Sequence, residues 1–207
     1  MIKNSFCCFE ESFIGIDEVG RGSWCGPVVA CSILLNEGFF NNDFCYRIHD
    51  SKKIKKNDRE FLSTQIKKNS HYNFGLSESK EIDRFGILKA TELAMKRSFY
   101  PFKNHKNKVI IDGPKFFSLN KNTEFIVKGD QKFKVISAAS ILAKVYRDNL
   151  MNRLSIKYPR YGWNQNFGYG TEFHKNALNR YGITPEHRAT FNPMLKIISD
   201  SKVKEEE

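Results

Sequence analysis

The apolar pattern begins with Phe13-Ile14-Gly15-Ile16, which runs into Asp17-Glu18-Val19-Gly20-Arg21-Gly22. A second run, Pro27-Val28-Val29-Ala30-Cys31-Ser32-Ile33-Leu34-Leu35, follows at once. Two β-branched, apolar runs joined by Gly20 to Gly26 predict a hairpin with a longer loop. Asn57 and Glu60 have the spacing of a capping box, and Phe61, Leu62 and Ile66 give the helix after them an apolar side. Tyr72 to Ser77 alternates as an edge strand would, and Ile82 to Phe99 has helical spacing up to Pro101. Val109-Ile110-Ile111 is an unbroken apolar run, suited to a strand buried on both faces and stopped by Asp112-Gly113-Pro114. Glu124 to Val127 predicts another strand, ending at Lys128-Gly129-Asp130. The clearest helix is Lys134 to Ile156, where Val135, Ala138, Ala139, Leu142, Tyr146 and Leu150 repeat at helical steps. Its second stripe, Ser137, Ser140, Lys144 and Arg147, reads as a solvated face, with contact to a nucleic-acid backbone as the functional alternative.

An aromatic, glycine-broken loop spans Tyr158 to Gly170. Thr171 caps a short helix that Gly182 ends, and Met194 to Ile198 is the last apolar stretch. With no internal repeat or linker, one domain over 1–198 and a frayed polar tail over 199–207 are expected.

Charge narrows the function classes. The chain has 207 residues and a formal charge of +11, from 34 Lys and Arg against 23 Asp and Glu. That excess favours polyanions, nucleic acid first, although a basic surface without a partner has the same charge. No apolar run reaches the length of a membrane span, and Met1 to Glu11 does not read as a secretory signal, so a cytoplasmic monomer is expected. Cys7, Cys8, Cys25, Cys31 and Cys45 lack the spacing of a zinc or redox pair and read as reduced thiols.

The candidate chemistry lies in the acids. Asp17, Asp112 and Asp130 fall at predicted strand ends, where α/β sheets build their sites, and Glu18 adds a fourth carboxylate. Four converging like charges repel unless cations neutralise them, and hard ions such as Mg²⁺ or Mn²⁺ prefer oxygen ligands. A pair of such ions would stabilise both the attacking and the leaving oxygen of a phosphodiester. Adjacent strand residues face opposite ways, so a strand end or bulge at Asp17-Glu18 is expected if both acids face one pocket. Taken singly, Asp112 and Asp130 also read as ordinary turn formers before or after glycine.

These residues resemble the ribonuclease HII family. The resemblance is carried by Gly15-Ile16-Asp17-Glu18-Val19-Gly20-Arg21-Gly22 with Gly26-Pro27-Val28-Val29, Asp50-Ser51-Lys52-Lys53, Asp112-Gly113, and Lys128-Gly129-Asp130 leading into Ala138 to Asp148. Gly168-Tyr169 and His187-Arg188 complete the order, from about Phe13 to Phe191. The resemblance implies an α/β, RNase H-like fold: a mixed five-stranded sheet, its first three strands antiparallel, flanked by helices, with a C-terminal helical segment. It implies cleavage of RNA in RNA–DNA hybrids and 5′ of single ribonucleotides in duplex DNA, giving 3′-hydroxyl and 5′-phosphate ends. It matches Asp17, Glu18, Asp112 and Asp130 to metal-site acids, Gly20, Arg21 and Gly22 to a loop sensing the ribose 2′-hydroxyl, and Tyr169 to a tyrosine against the junction sugar.

The chemistry suits those roles, since glycine backbone approaches a 2′-hydroxyl closely and Arg21, Lys52 and Lys53 pair with phosphate. Departures are Val19, where the family usually has alanine, and Gln165 and Phe167, which replace basic residues. Stacking by Trp163 and Phe167 would substitute for the lost charge. The short tail after Ile198 leaves a sliding-clamp contact unsupported. A non-catalytic nucleic-acid-binding module and a DNA nuclease of the same fold, such as a Holliday-junction resolvase, are the competing readings.

Overall fold

The computed structural model describes residues 9–51 and 53–203. Cys7, Cys8 and Lys52 therefore lie outside the described residues. Two compact units make up the chain. The first comprises residues up to Val19, Val29–Leu76 and Glu92–Val145; the second comprises Gly20–Val28, Ser77–Thr91 and the chain from Tyr146 on.

The first unit carries a five-stranded sheet in the order β3-β2-β1-β4-β5. Strand β1 (Phe13–Val19) pairs antiparallel with β2 (Val28–Leu35), as the two apolar runs predicted. After α1 (Lys56–Lys68), β3 (Ser70–Ser77) takes the edge beside β2, beginning two residues before the expected strand. Strand β4 (Lys108–Asp112) runs parallel to β1, and β5 (Thr123–Ile126) parallel to β4. Ile14, Ile16 and Val109 to Ile111 are fully buried, as central strands covered on both faces require.

The expected capping box at Asn57 and Glu60 does not form. Helix α1 begins at Lys56 with Lys55 as its N-cap, so Asn57 already lies within the first turn. The box forms instead where α2 (Ser79–Phe85) starts, between Glu78 and Glu81. The expected single helix over Ile82 to Phe99 is also divided. Gly86, at φ 77°, separates α2 from α3 (Ile87–Phe99).

Two helices pack closely on the sheet because glycine permits it. A methyl on Gly75 would meet the Ala94 carbonyl oxygen at 2.1 Å, so α3 seats its backbone on β3. A methyl on Gly15 would meet the Val135 carbonyl oxygen at 2.7 Å, which brings α5 (Lys134–Lys157), after the one-turn α4 (Gly129–Lys132), onto β1. Glu10 accepts the Val135 amide at 3.0 Å and so places an acid at the positive end of α5. The core here joins Cys31 and Ile33 of β2, Ile110 of β4, and Ala139 and Leu142 of α5.

The second unit has its own core around Cys25, Met151, Tyr161, Trp163, Leu178 and Met194. The predicted aromatic loop is partly helical, with a short α6 (Trp163–Asn166). Thr171 caps α7 (Glu172–Tyr181) by accepting the His174 amide, and Gly182 ends it, as expected. Helix α8 (Asn192–Val203) extends past Ile198 into the stretch expected to be a frayed tail. Trp163 is fully buried and stacked on Tyr161, so it is core and not a surface for stacking bases. Cys25, Cys31 and Cys45 are buried free thiols, as read from their spacing. Among the described residues, no helix is long and apolar enough to cross a membrane.

Candidate metal centre and ligand-facing loops

Parallel pairing builds the acidic site in the first unit. The β1–β4 register ends with Ile16 opposite Ile111, so the next residues on the two strands are Asp17 and Asp112. Neighbouring strands lie about 4.8 Å apart and residues level in a parallel pair share a face, so two carboxylates meet on one side of the sheet. Asp17 is buried, and its carboxyl is pushed well above the usual range, first by desolvation, then by the charge of Glu18, with Asp112 adding to it. A hydrogen bond from Ser140 on α5 opposes the rise. Ser140 Oγ lies 2.9 Å from Ser51 Oγ. With the Ser140 hydroxyl donating to Asp17, Ser51 must donate to Ser140, and a short relay reaches the carboxylate from the Asp50-Ser51 turn.

Each of the two facing acids has one oxygen held by backbone. Asp17 Oδ1 accepts the Glu18 amide at 2.8 Å, and Asp112 Oδ1 accepts the Gly129 amide at 2.6 Å. Gly129 is needed there, because a methyl would lie 3.3 Å from Asp112 Oδ1 and 2.6 Å from Ile136 Cδ1.

Three sequence expectations change. Asp17 sits inside β1 and not at its end, since the strand continues to Val19. The bulge expected at Asp17-Glu18 is absent: Asp17 pairs with Cys31 and Glu18 with Ala30 in unbroken register, so the two side chains leave opposite faces of β1. Glu18 nevertheless buries Oε2, and its charge reaches Asp17. Asp130 is not at a strand end; β5 stops at Ile126, and Asp130 lies in the first turn of α4, next to the glycine that holds Asp112. Asp130 also lines a cleft of about 510 Å³ with Glu10, Asp50, Lys53, Lys132 and Lys134.

The structure likewise divides the expected hydroxyl and cation stripe of α5. Ser137 and Ser140 are buried, and only Lys144 keeps intermediate exposure. Arg147, read as part of a solvated face with contact to nucleic-acid backbone as the alternative, is fully buried with its guanidinium bonded inside the protein. That expectation fails because helical periodicity cannot distinguish a cation facing solvent from one facing an interior rich in carbonyl oxygens. Lys53 is exposed.

The second unit holds the Gly20-Arg21-Gly22 turn and Tyr169. Gly20 has φ 93°, a left-handed conformation that glycine adopts without strain. Arg21 is half-buried and Gly22 exposed, with open space around its Cα. Tyr169 is half-buried, and a histidine pair fixes its backbone. His187 Nδ1 accepts the Thr184 amide at 2.8 Å, which leaves the His187 proton on Nε2, facing His174 Nε2 at 3.1 Å. His174 Nε2 also accepts the Trp163 indole at 3.2 Å, so the His174 proton is on Nδ1 and is donated to the Tyr169 carbonyl at 3.0 Å. Burial is the main cause that holds both imidazoles below their ordinary pKa, His187 down to about 3. Cys25 shares this cluster, with ligand atoms within 4.8 Å. It is not a metal site: two N–H donors already occupy the His174 lone pair, and burial raises the Cys25 thiol, which disfavours thiolate.

The geometry defines a class: a mixed sheet with oxygen donors crowded where the parallel pairing of β1 with β4 ends, suited to hard divalent cations. The sequence model of the ribonuclease HII family matches residues 14–194. The chain is 45% identical over 185 residues to the ribonuclease HII of Pelagibacter ubique, covering 89% of this chain and 97% of that one. It is 41% identical over 193 residues to that of Ehrlichia chaffeensis, covering 93% and 90%. Among solved structures, ribonuclease H2 of Pyrococcus horikoshii superposes with a TM-score of 0.70 at 25% identity, covering 92% and 98%. The ribonuclease HII of Archaeoglobus fulgidus, solved in complex with PCNA, superposes with a TM-score of 0.71 at 23% identity, covering 87% and 95%. This chain belongs to the ribonuclease HII family. It is a ribonuclease H-type endonuclease.

Sequence reasoning passed over Ser51, His174 and Arg188 as participants. A buried arginine or a relaying serine carries no periodic signal, and only the contacts show them.

Proposed function

We propose that this endonuclease cuts the RNA strand of RNA–DNA hybrids and also cuts 5′ of single ribonucleotides embedded in duplex DNA, using Mg²⁺ or Mn²⁺. One observation carries the reading: a buried Asp17 whose ionisation is opposed by Glu18 and Asp112, where the parallel pairing of β1 with β4 ends. Such a cluster stays fully ionised at neutral pH only with cations present. The oxygen donors fit two hard divalent ions: Asp17 and Asp112 would hold them on their shared face with Asp130, beside the glycine that fixes Asp112, while Glu18, leaving the opposite face of β1, acts on Asp17 through its charge. Bound there, the ions supply Lewis acidity toward the scissile phosphodiester and its leaving 3′-oxygen.

The protein residues orient and select. The amides of Glu18 and Gly129 fix Asp17 and Asp112 before substrate arrives, so less ordering is left to binding. Ser140, aligned by Ser51, favours the ionised form of Asp17. Gly20, Arg21 and Gly22 offer close backbone approach to a 2′-hydroxyl, the group that distinguishes RNA from DNA. The Tyr169 ring packs against the following deoxyribose, where a ribose would crowd it. Lys52, Lys53 and Lys144 contribute phosphate contacts.

The decisive experiment incubates the protein and Mg²⁺ or Mn²⁺ with duplex DNA carrying one ribonucleotide, and separately with a continuous hybrid. Cutting 5′ of the ribonucleotide is expected, abolished by EDTA and reduced at least about a thousandfold in Asp17→Asn. Tight binding without cutting under either metal would identify a binding module instead. Equal cutting of all-DNA duplex would identify a DNA nuclease.

A further inference from the structure

Two arginines are buried beneath the loops assigned to the substrate sugars. Arg188 donates from Nη2 to the Gly20 carbonyl at 2.6 Å, from Nη1 to the Arg21 carbonyl at 2.8 Å, and from Nε and Nη2 to the Gly26 carbonyl at 3.2 and 2.8 Å. Arg147 donates from Nε to the Pro27 carbonyl at 2.9 Å, and from Nη2 to Ser23 Oγ at 2.7 Å and the Cys25 carbonyl at 3.0 Å. Its remaining arm, Nη1, reaches the Phe167 carbonyl at 2.9 Å, and its guanidinium carbon lies 5.7 Å from the centroid of the Tyr169 ring. Arg147 therefore holds both the glycine turn and the tyrosine segment. The Trp24 amide, bonded to the Gly168 carbonyl at 2.8 Å, adds a second tie between them.

The backbone is built around these cations. A methyl on Gly20 would lie 2.2 Å from Arg147 Nε, so only glycine lets the turn rest on that guanidinium. Phe167 is held at φ 50°, uncommon for a residue with a side chain, at the carbonyl that Arg147 grips. The carbonyls of Gly20, Arg21, Cys25, Gly26 and Pro27 all point inward onto guanidinium groups. A ligand reaching the turn from outside thus meets positive potential in place of carbonyl oxygens.

Stability alone is a poor reason for this arrangement. The bonds named run to neutral oxygens, and burying charge is costly enough that apolar replacements of buried ionic groups often stabilise a fold. Lysine could supply the charge but not the planar fork that spans several carbonyls at once. We propose that Arg147 and Arg188 are positioning residues that fix the gap between the Gly20–Gly22 turn and Tyr169, and with it the selectivity for a ribose followed by a deoxyribose. This rests on the proposed function for the placement of those sugars.

Arg147→Lys and Arg188→Lys test it, each keeping a charge and losing the fork. Three measurements are made on each full-length protein: kcat/KM on duplex DNA with one ribonucleotide, kcat/KM on a continuous hybrid, and amide hydrogen exchange without substrate. The ratio of the first to the second should fall about tenfold, the size expected when charge-assisted hydrogen bonds are lost. The amides of Ser23, Trp24 and Gly26 should exchange faster, while those of β1 and β4 are unchanged. An unchanged ratio in a variant with normal sheet protection overturns the proposal, as does an equal fall on both substrates. If a lysine variant loses sheet protection as well, the arginine is a general scaffold element and the proposal fails for it. If wild type cuts neither duplex, the proposed function has failed, and exchange then decides the positioning of the turn by itself: faster exchange confined to the turn upholds it, and unchanged exchange overturns it.

Discussion

Asp17 shows how one side chain can be placed against its own stability. Burial and the charges of Glu18 and Asp112 raise its pKa in the folded protein, so the fold resists its ionisation more than the unfolded chain does. Stability from such a group is complete below the unfolded pKa and is lost as pH rises through the folded one. At neutral pH without metal, Asp17 therefore weakens the fold. Asp17→Asn should melt several degrees higher than wild type in EDTA by calorimetry. Mn²⁺ should reverse the order, raising wild type by mass action on the folded state and leaving the variant almost unmoved. A variant that melts lower than wild type in EDTA would show that the carboxylate has counter-charges other than a cation. The acid pair itself was legible in the sequence. The relay through Ser51 and Ser140 was not, because a serine hydroxyl bonds whatever tertiary packing brings to it.

At the scale of elements, glycine decides where the sequence pattern succeeds or fails. The apolar runs gave β1, β2 and β4 because buried strands are read directly from composition, and Thr171 and Gly182 gave both ends of α7. Apolar spacing continues from Ile82 across Gly86 into Leu93, so nothing but the glycine itself marked the break between α2 and α3. Two alanine substitutions separate the roles glycine plays. Gly86 has φ 77° with ψ 159°, a region essentially reserved for glycine, and nothing within 4 Å of an added methyl, so Gly86→Ala costs only backbone strain, about 1–3 kcal/mol. Gly15→Ala would drive a methyl into the backbone of Val135 at 2.7 Å and lift α5 from β1, an overpacking cost of about 1–3 kcal/mol. Calorimetry should show both losses, at about 2–4 °C per kcal/mol for a chain of this size. Only Gly15→Ala should also weaken Mn²⁺ binding, since α5 carries the Ser140 that supports Asp17. Equal metal affinity in the two variants would detach the α5 contact from the acidic site.

For the whole molecule, buried groups of opposite sense set the pH range of stability. His174 and His187 are held neutral, chiefly by burial, with His187 pushed down to about 3 from an ordinary 6.5. The unfolded chain binds those protons more readily, so the stability the pair contributes is complete above about pH 6.5 and is lost as pH falls toward 3. Each histidine can change stability by at most about 1.4 kcal/mol per pH unit in that window. Asp17 acts the other way, withdrawing stability as pH rises. In EDTA the melting temperature should therefore peak in mildly acid solution and fall on both sides. Mn²⁺ should remove the alkaline fall, which belongs to the carboxylates, and leave the acid fall. General charge repulsion in a chain of net +11 also steepens on acidification, so the histidine share needs its own control. His187→Gln provides it: the variant should be less stable at pH 7.5 than wild type but lose less between pH 6.5 and 4.5. Parallel acid limbs for the two proteins would show that the histidine pair titrates alike folded and unfolded, and that the bonds His174 Nε2 accepts from Trp163 and His187 do not hold its imidazole neutral.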